Sequence, residues 1–181
     1  MIRVWEDKES GRIVVDVGGR RVELTRPQAY ILARRVGQLL GLRVSLGRPL
    51  ASFRYEGGHV VVDIVEGEGV KRVVVPMKLL TAYVNALRKL APGKYPPAAV
   101  AREAFLEARR LGMREVEEFL DGDSIKWELL FGTRDKYYEL FRAPVILLCE
   151  LGLVEYGKRK ITVKQFKADW RKKLEEKRVQ G

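Results

Sequence analysis

Side chains that could perform catalysis are scarce in this sequence. His59 is the only histidine and Cys149 the only cysteine, so a Cys–His or Ser–His mechanism would depend on these two residues. Cys149 ends the apolar run of residues 145–149, which is typical of a small buried side chain. His59 follows a Gly-Gly pair between two strand-like runs, where an exposed histidine is expected. Because the chain also lacks a G-x-x-x-x-G-K loop and an H-E-x-x-H motif, we predict that it is not an enzyme.

One acidic run has the composition of a hard-metal site. Asp121 and Asp123 stand two residues apart, and Ser124 and Glu128 follow them, so three oxygens could meet at one cation. The run lacks the remaining ligand positions of an EF-hand loop, and an Asp or Ser before a helix more often acts as a cap. One cysteine and one histidine are also too few for an ordinary structural zinc site. We therefore predict neither a metal nor another cofactor.

Residues 132–142 interleave basic and aromatic side chains. If Thr133 caps a helix, Arg134, Tyr137 and Tyr138 share one face at i, i+3 and i+4 spacing. Lys and Arg neutralise phosphates, and aromatic rings stack on unpaired bases with about 1–3 kcal/mol per base. The segment therefore predicts a binding site for single-stranded nucleic acid. The alternative, which the sequence leaves open, is that the aromatic side chains are core and the charges are only solvated.

The following segment has the outline of a helix and a hairpin. Residues 144–150 predict a helix, and residues 153–163 predict an apolar hairpin with a basic tip. Residues 113–163 thereby resemble a winged helix, in which the wing tip contacts the phosphate backbone and a preceding helix enters the major groove. The segment 144–150 has no Arg, Lys, Asn or Gln for reading base edges. Such a unit would contact only the DNA backbone, through its wing, or serve as a protein contact.

The C-terminal region combines a narrow apolar stripe with a basic surface. Phe166, Trp170 and Leu174 recur at intervals of four residues, and residues 158–178 contain ten basic against three acidic side chains. The stripe either docks on the body of the protein or pairs with a second chain as a coiled-coil-like seam. In the second case these three residues are the oligomerisation contact of a homodimer or larger assembly.

The N-terminal part adds arginines that could line a basic groove over a sheet face, and Arg48 is a further candidate there. Together with the aromatic and basic residues of the C-terminal part, they form the predicted nucleic-acid-binding set: Arg20, Arg21, Arg34, Arg35, Arg54, Tyr55, Arg134, Lys136, Tyr137, Tyr138, Arg142, Lys158, Arg159 and Lys160.

The elements that must position these residues are strands first and mainly helices later. Alternating apolar residues predict strands at 2–6, 13–17, 20–24, 50–55, 59–65 and 70–75. Thr25 and Gln28 form a predicted capping box for a helix over 26–40, and further helices are predicted at 76–90, 97–111, 144–150 and 164–178.

This order predicts an α+β fold, in which an antiparallel hairpin and meander sheet with packed helices precedes a mainly helical part. That second part ends in a wing-like hairpin and a terminal helix. The Gly- and Pro-rich break at residues 93–97 is the predicted boundary. It divides the chain into a sheet domain (1–92), a helical part with the hairpin (93–163) and a basic C-terminal helix (164–181).

The composition is that of a folded, basic protein. The 181 residues carry a formal charge of +11 and are 46% hydrophobic, which excludes a disordered basic tail. No signal-peptide-like run follows Met1 and no apolar stretch approaches about 18 residues, so we expect a cytoplasmic protein without a membrane partner. A single asparagine, Asn85, among abundant Arg, Glu, Lys and Val indicates a hyperthermophilic source.

This plan resembles the ThermoDBP family, the single-stranded DNA-binding proteins of the archaeal order Thermoproteales. The resemblance lies in a small basic chain of hyperthermophile composition, N-terminal strands and helices, interleaved aromatic and basic residues, and a C-terminal helix suited to self-association. It implies binding of single strands in a cleft, without sequence preference, by a protein that oligomerises.

We therefore expect a protein that binds single-stranded DNA, with RNA as a further candidate ligand. One alternative is a winged-helix-like regulator that binds duplex DNA. The other is a non-catalytic subunit of a nucleoprotein or protein assembly, whose basic surface meets an acidic partner.

Overall fold

Antiparallel strands form the first half of the chain. The computed structural model describes residues 1–43, 50–67, 69–166 and 169–177, and it confirms the predicted α+β class. The N-terminal meander comprises β1 (Ile2–Glu6), β2 (Ile13–Val17) and β3 (Arg20–Leu24), and it leads into α1 (Arg26–Leu39). The central sheet comprises β4 (Ala51–Tyr55), β5 (His59–Glu66) and β6 (Gly69–Pro76), with β5 in the middle.

The second half is mainly helical. After α2 (Met77–Leu90) the elements are β7 (Gly93–Tyr95), α3 (Pro97–Arg110), a 3-10 turn (Glu117–Phe119), β8 (Leu120–Asp121), β9 (Ser124–Ile125), α4 (Trp127–Gly132), α5 (Arg134–Tyr137), a π-helical turn (Tyr138–Arg142), α6 (Ala143–Glu150), β10 (Val154–Gly157), β11 (Lys160–Val163) and α7 (Trp170–Lys177). The predicted wing is the hairpin β10–β11, and β11 also pairs with β7.

The start of α1 shows how local sequence fixes an element. Thr25 accepts a hydrogen bond from the backbone N–H of Gln28, whose side-chain oxygen accepts the backbone N–H of Thr25 in return at 3.0 Å. Pro27 lies in the first turn, where its missing N–H leaves no hydrogen bond unmade. The helix ends before Gly41, whose φ of +72° is readily adopted by glycine. The predicted capping box is therefore confirmed.

One continuous core joins the two halves. Val60, Val62 and Ile64 on the inner face of β5 are fully or almost fully buried, in a cluster that includes side chains of α2, α3, α6, β11 and α7. The predicted boundary at residues 93–97 lies inside this arrangement, because β7 pairs with β11 and because α2 and α3 pack against each other. The break in the sequence is thus a short strand rather than a linker between domains.

The C-terminal stripe docks on the same chain. Trp170 and Leu174 are buried in the core cluster, and Phe166 packs against it. The Arg171 guanidinium donates to the Thr81 hydroxyl at 3.3 Å, which ties α7 to α2. Buried side chains offer no seam to a second chain, so the structure corrects the oligomerisation assignment of Phe166, Trp170 and Leu174. The predicted end of this helix at residue 178 lies outside the described residues.

Candidate nucleic-acid interface

The basic and aromatic segment after Gly132 is continuous with the core. Thr133 does not cap it, because its hydroxyl donates to the carbonyl oxygen of Leu129 at 2.8 Å instead. Four residues of α5 lead into the π-helical turn Tyr138–Arg142 and then directly into α6. A π-turn widens the helix by one residue per turn and is found frequently at functional sites. It changes which side chains share a face in this segment.

An aromatic cluster surrounds Tyr137. Its ring lies 5.2 Å from that of Phe131, 6.0 Å from that of Trp127 and 5.4 Å from that of Phe141, the first two edge to face. Phe141 is buried, whereas Phe131 is 59% exposed. The cluster therefore begins in the core and ends at the surface. Phe141 is thus core, as one sequence-based interpretation of this segment expects, and the exposed ring belongs to Phe131, just before the segment.

Tyr156 extends the cluster on the hairpin side. It shares a face of β10 with the buried Val154, but it lies at the outer end of the strand and is 40% exposed. Burial raises the pKa of Tyr137, and the nearby Tyr156 hydroxyl adds to this shift. The Arg142 guanidinium, which hydrogen-bonds to Tyr137, acts in the opposite direction on that pKa. Arg142 and Tyr156 also line one cavity together with Phe141, whose ring contacts that of Tyr137.

The tip of the wing carries cations in an uncommon backbone conformation. Lys158 and Arg159 have φ angles of +52° and +61°, and they form the two-residue turn between Gly157 and Lys160. Non-glycine residues in this region cost on the order of 1–2 kcal/mol each. Among the described residues, neither these two nor Lys160 has an ion-pair partner, and all three are exposed. We call Phe131, Tyr137, Arg142, Tyr156 and residues 158–160 the aromatic–basic face.

A second group of predicted residues meets at the β5–β6 turn. Arg34 of α1 donates to the carbonyl oxygen of Gly67 at 2.6 Å, and Arg134 of α5 forms an ion pair with Glu66. Lys71 of β6 forms an ion pair with Asp135 at 2.8 Å, and this contact lowers the pKa of the Asp135 carboxyl. The structure thus brings Arg34 and Arg134 to the same turn, although 100 residues separate them in the chain.

The aromatic and basic groups beside this turn are mostly engaged. The Lys71 ammonium lies 4.8 Å from the ring centroid of Tyr138, in cation–π geometry. The ring of Tyr138 also meets that of Tyr137 edge to face, with 6.1 Å between the ring centroids. Lys136 lies 3.5 Å from the Glu139 carboxylate, an i,i+3 pair on the helix. Tyr138 therefore offers less open ring surface than its sequence position predicts.

The remaining predicted residues lie in other parts of the fold. Arg21 contacts its own meander, with Asp16 at 3.1 Å and the Trp5 ring at 5.2 Å, and Arg20 is exposed at the β2–β3 turn. Arg35 is exposed on α1. Arg48 lies outside the described residues. The structure therefore does not gather the predicted set on one surface.

Arg54 and Tyr55 point to opposite sides of the central sheet. Arg54 lies in a polar groove of about 510 Å³ that Arg12 and Arg72 also line, but Arg54 pairs with Glu56 at 2.6 Å and Arg72 pairs with Asp63. Tyr55 is opposite the buried Val60 and packs on the core cluster. Its ring is half-buried on the core face of the sheet, away from the face that carries Arg54.

The side chains with catalytic or metal-binding potential are separate from one another. His59 hydrogen-bonds with Glu56 at 2.7 Å, and Arg54 and His59 together lower the pKa of the Glu56 carboxyl. Cys149 lies on the wall of a cavity of about 180 Å³ beside Tyr156. The run Asp121–Ser124 is the turn of the hairpin β8–β9. In the ranges that the structure describes, no group of three or more His, Cys, Asp or Glu side chains could hold a metal ion.

Three residues of the two groups described above were not predicted from the sequence: Phe131, Tyr156 and Lys71. Phe131 stands four residues after Trp127, a spacing that places both on one helix face, but its exposure depends on where α4 meets the core. Tyr156 belongs to the alternating pattern of the wing, and Lys71 is an ordinary strand cation in the sequence. For Tyr156 the sequence did hold a clue, because the alternation of residues in the hairpin places it on the same face as Val154.

Comparison with known proteins gives no match: no protein-family model, curated protein or solved structure is similar to this chain. Within the described ranges, none of the helices combines the length and apolar character needed to cross a membrane.

Proposed function

We propose that the protein binds nucleic acid through the aromatic–basic face, with single-stranded DNA as the favoured ligand and without sequence preference. The observation that carries this proposal is the position of the exposed cations at residues 158–160, which form no ion pair within the described part of the chain. They lie two to four residues beyond the partly exposed ring of Tyr156. The resemblance to the ThermoDBP family points to the same class of ligand.

Two kinds of contact would hold the strand. The cations of the wing tip neutralise phosphates and release condensed counterions, which makes binding depend steeply on salt. The rings of Phe131 and Tyr156 stack on bases, and every base has a π-face, so this contact needs no particular sequence. Duplex DNA keeps its bases stacked and paired, so only the phosphate contacts remain for it. The combination therefore favours single strands.

The structure of α6 disfavours the winged-helix alternative. Residues 143–148 of this helix are buried, whereas a recognition helix must expose polar side chains to base edges. A duplex would then contact the wing alone. If a duplex binds as tightly as a single strand, this preference for single strands is wrong. If RNA binds as tightly as DNA, the ligand is single-stranded nucleic acid in general.

Fluorescence anisotropy of a labelled oligothymidine tests the proposal. We expect binding at low salt that weakens as salt is added, and a Kd at least about tenfold higher for the triple variant Lys158→Ala, Arg159→Ala, Lys160→Ala. The triple variant Lys78→Ala, Arg88→Ala, Arg114→Ala removes the same charge from exposed positions elsewhere and is the matched control. Equal weakening by both variants would show that only net charge matters, and no binding at low salt would end the proposal.

A further inference from the structure

An open apolar cleft separates the N-terminal meander from α1. One wall is the sheet face that carries Val4 and Val15, and the other is the α1 stripe of Leu32, Val36 and Leu40. The cleft has a volume of about 380 Å³, and all of the described residues that line it are apolar. Helical spacing of i, i+4 and i+8 places the three α1 side chains on one side of the helix, as for a buried stripe. In this chain the stripe is not buried.

The exposed apolar surface around this cleft is large. Nine side chains of the meander and of α1 with its C-terminal end are between 46% and 88% exposed: Ile2, Val4, Val17, Val22, Leu32, Val36, Leu39, Leu40 and Leu42. Together they expose on the order of 1,000 Å², whereas the largest apolar patch of a typical monomer is about 300–600 Å². A surface of this size in water favours association, since the free energy gained on burial scales with apolar area.

We infer that a second copy of this chain covers the cleft, so that the protein is a two-fold symmetric dimer through its N-terminal region. The exposed area agrees with the roughly 800 Å² that each partner buries in a standard interface, and homodimer interfaces are more apolar than other protein interfaces. A two-fold interface must be self-complementary. This region offers both parts of such a contact, the open cleft and the 88% exposed Leu39 on the same helix as the cleft-lining Leu32 and Val36.

The charges around the cleft agree with a second copy rather than with an acidic or basic partner. Each edge strand of the meander carries charges of both signs, Arg3 and Glu6 in β1 and Arg20, Arg21 and Glu23 in β3. A two-fold axis can place a cation of one copy near an anion of the other. A partner of a single sign would meet repulsion at one end of each strand.

The residues of this surface are not those of the aromatic–basic face, and dimerisation does not depend on nucleic-acid binding. If the proposed function holds, the dimer would present two such faces. The second contact on one strand would then be intramolecular, and affinity for long strands would exceed that for short ones.

Sedimentation equilibrium of nucleic-acid-free protein at high salt tests the inference, because phosphate contacts are weak under that condition. We expect the average mass of the wild type to rise with protein concentration and to level off at the mass of two chains. The variant Leu40→Glu should raise the dimer Kd at least about 100-fold, because a two-fold interface would bury the new carboxylate twice. Leu40 is 67% exposed in the single chain, so this substitution leaves the fold intact, which circular dichroism checks.

The matched control is Val74→Glu on β6, whose side chain is 51% exposed and does not line the cleft. A dimer that persists in Val74→Glu and dissociates in Leu40→Glu supports the inference. A wild type that is monomeric over a hundredfold range of concentration overturns it, as does a dimer that survives Leu40→Glu. An open-ended series of larger species would also overturn it, since a two-fold contact closes at two chains.

Discussion

The hydroxyl of Tyr83 donates a hydrogen bond of 2.6 Å to the carbonyl oxygen of Leu140. Tyr83 lies on α2 and is fully buried, and Leu140 is in the middle of the π-helical turn. Burial raises the pKa of Tyr83 well above its ordinary value, so the hydroxyl stays protonated and can donate. A π-turn leaves backbone groups outside the regular α-helical ladder. Tyr83 thus links the core to the segment that carries Tyr138, Phe141 and Arg142.

Replacement of Tyr83 by Phe should destabilise the protein by about 1–3 kcal/mol, because a buried carbonyl oxygen loses its partner. We also expect weaker oligonucleotide binding, since Arg142 and Tyr137 depend on the same turn. Urea unfolding and anisotropy measure the two effects. Tyr95→Phe is the matched control: Tyr95 also donates to a carbonyl oxygen at 2.6 Å, that of Leu90, but it is only partly buried and lies outside the π-turn. If Tyr83→Phe lowers stability but leaves oligonucleotide binding unchanged, Tyr83 does not support the interface.

The wild-type turn at Lys158 and Arg159 should lower the stability of the fold and strengthen oligonucleotide binding. Asn-Gly is the preferred pair where both turn residues have positive φ, so the double variant Lys158→Asn, Arg159→Gly should be more stable by on the order of 1 kcal/mol. The same variant lacks two phosphate contacts. Its plot of log K against log salt should be shallower by about 1.4, twice the slope of roughly 0.7 per phosphate on single strands.

Thermal unfolding and salt titration of the same preparations check this prediction. Gly157→Ala, next to the turn and outside the positive-φ pair, is a control for general effects on the hairpin. A variant that is more stable but keeps the full salt slope would show that the wing tip does not contact phosphates.

Local signals in the sequence were sufficient for most of the elements. The capping box of Thr25 and Gln28 and the strands of both meanders depend on residues that are near one another in the chain. The strand β7 was not predicted, because its three residues have no pattern of their own and pair with β11, nearly 70 residues later. The same limit applies to Trp170: its period was evident, but docking on its own chain required the completed core to be known.

The candidate interface could be predicted only in part for a related reason. Residue type and spacing identified Tyr137, Arg142 and the wing tip, but which ring is covered depends on tertiary neighbours. Tyr138 is covered by Lys71, which is distant in the sequence, and Tyr55 turns into the core because of strand register. Phe131 and Tyr156 stay open because they lie where the core ends. Exposure of this kind is a property of the assembled fold.

Acid should weaken the fold through Glu107. This side chain is only 3% exposed on α3, where hydrogen bonds from Lys89 and then Arg110 lower the pKa of its carboxyl below the ordinary value of 4.5. A lowered folded-state pKa stabilises the protein above the unfolded-state value, and this contribution is lost as the pH falls through the folded-state pKa. Glu107→Gln should therefore be less stable than wild type at neutral pH, and the difference should narrow in acid.

Urea midpoints from neutral pH down to about pH 3 measure that narrowing. Glu115→Gln is the control, because Glu115 is exposed and its substitution should change the midpoint little at any pH. A Glu107→Gln deficit of constant size across the series would mean that the loss comes from packing and not from the charge.

The rings of Phe131 and Tyr138 are seven positions apart in the chain but differ in exposure to solvent. Phe131 is 59% exposed, whereas Tyr138 is half-buried and its ring contacts both the Lys71 ammonium and the ring of Tyr137. Stacking contributes about 1–3 kcal/mol per base, so Phe131→Ala should raise the Kd for a single strand by about 5- to 150-fold. Tyr138→Ala should raise it less. Neither variant should change the Kd for a duplex as much, because paired bases are not available to the ring. Competition between labelled single strands and unlabelled duplex measures both quantities, and a larger effect of Tyr138→Ala would place the stacking surface at the β5–β6 turn.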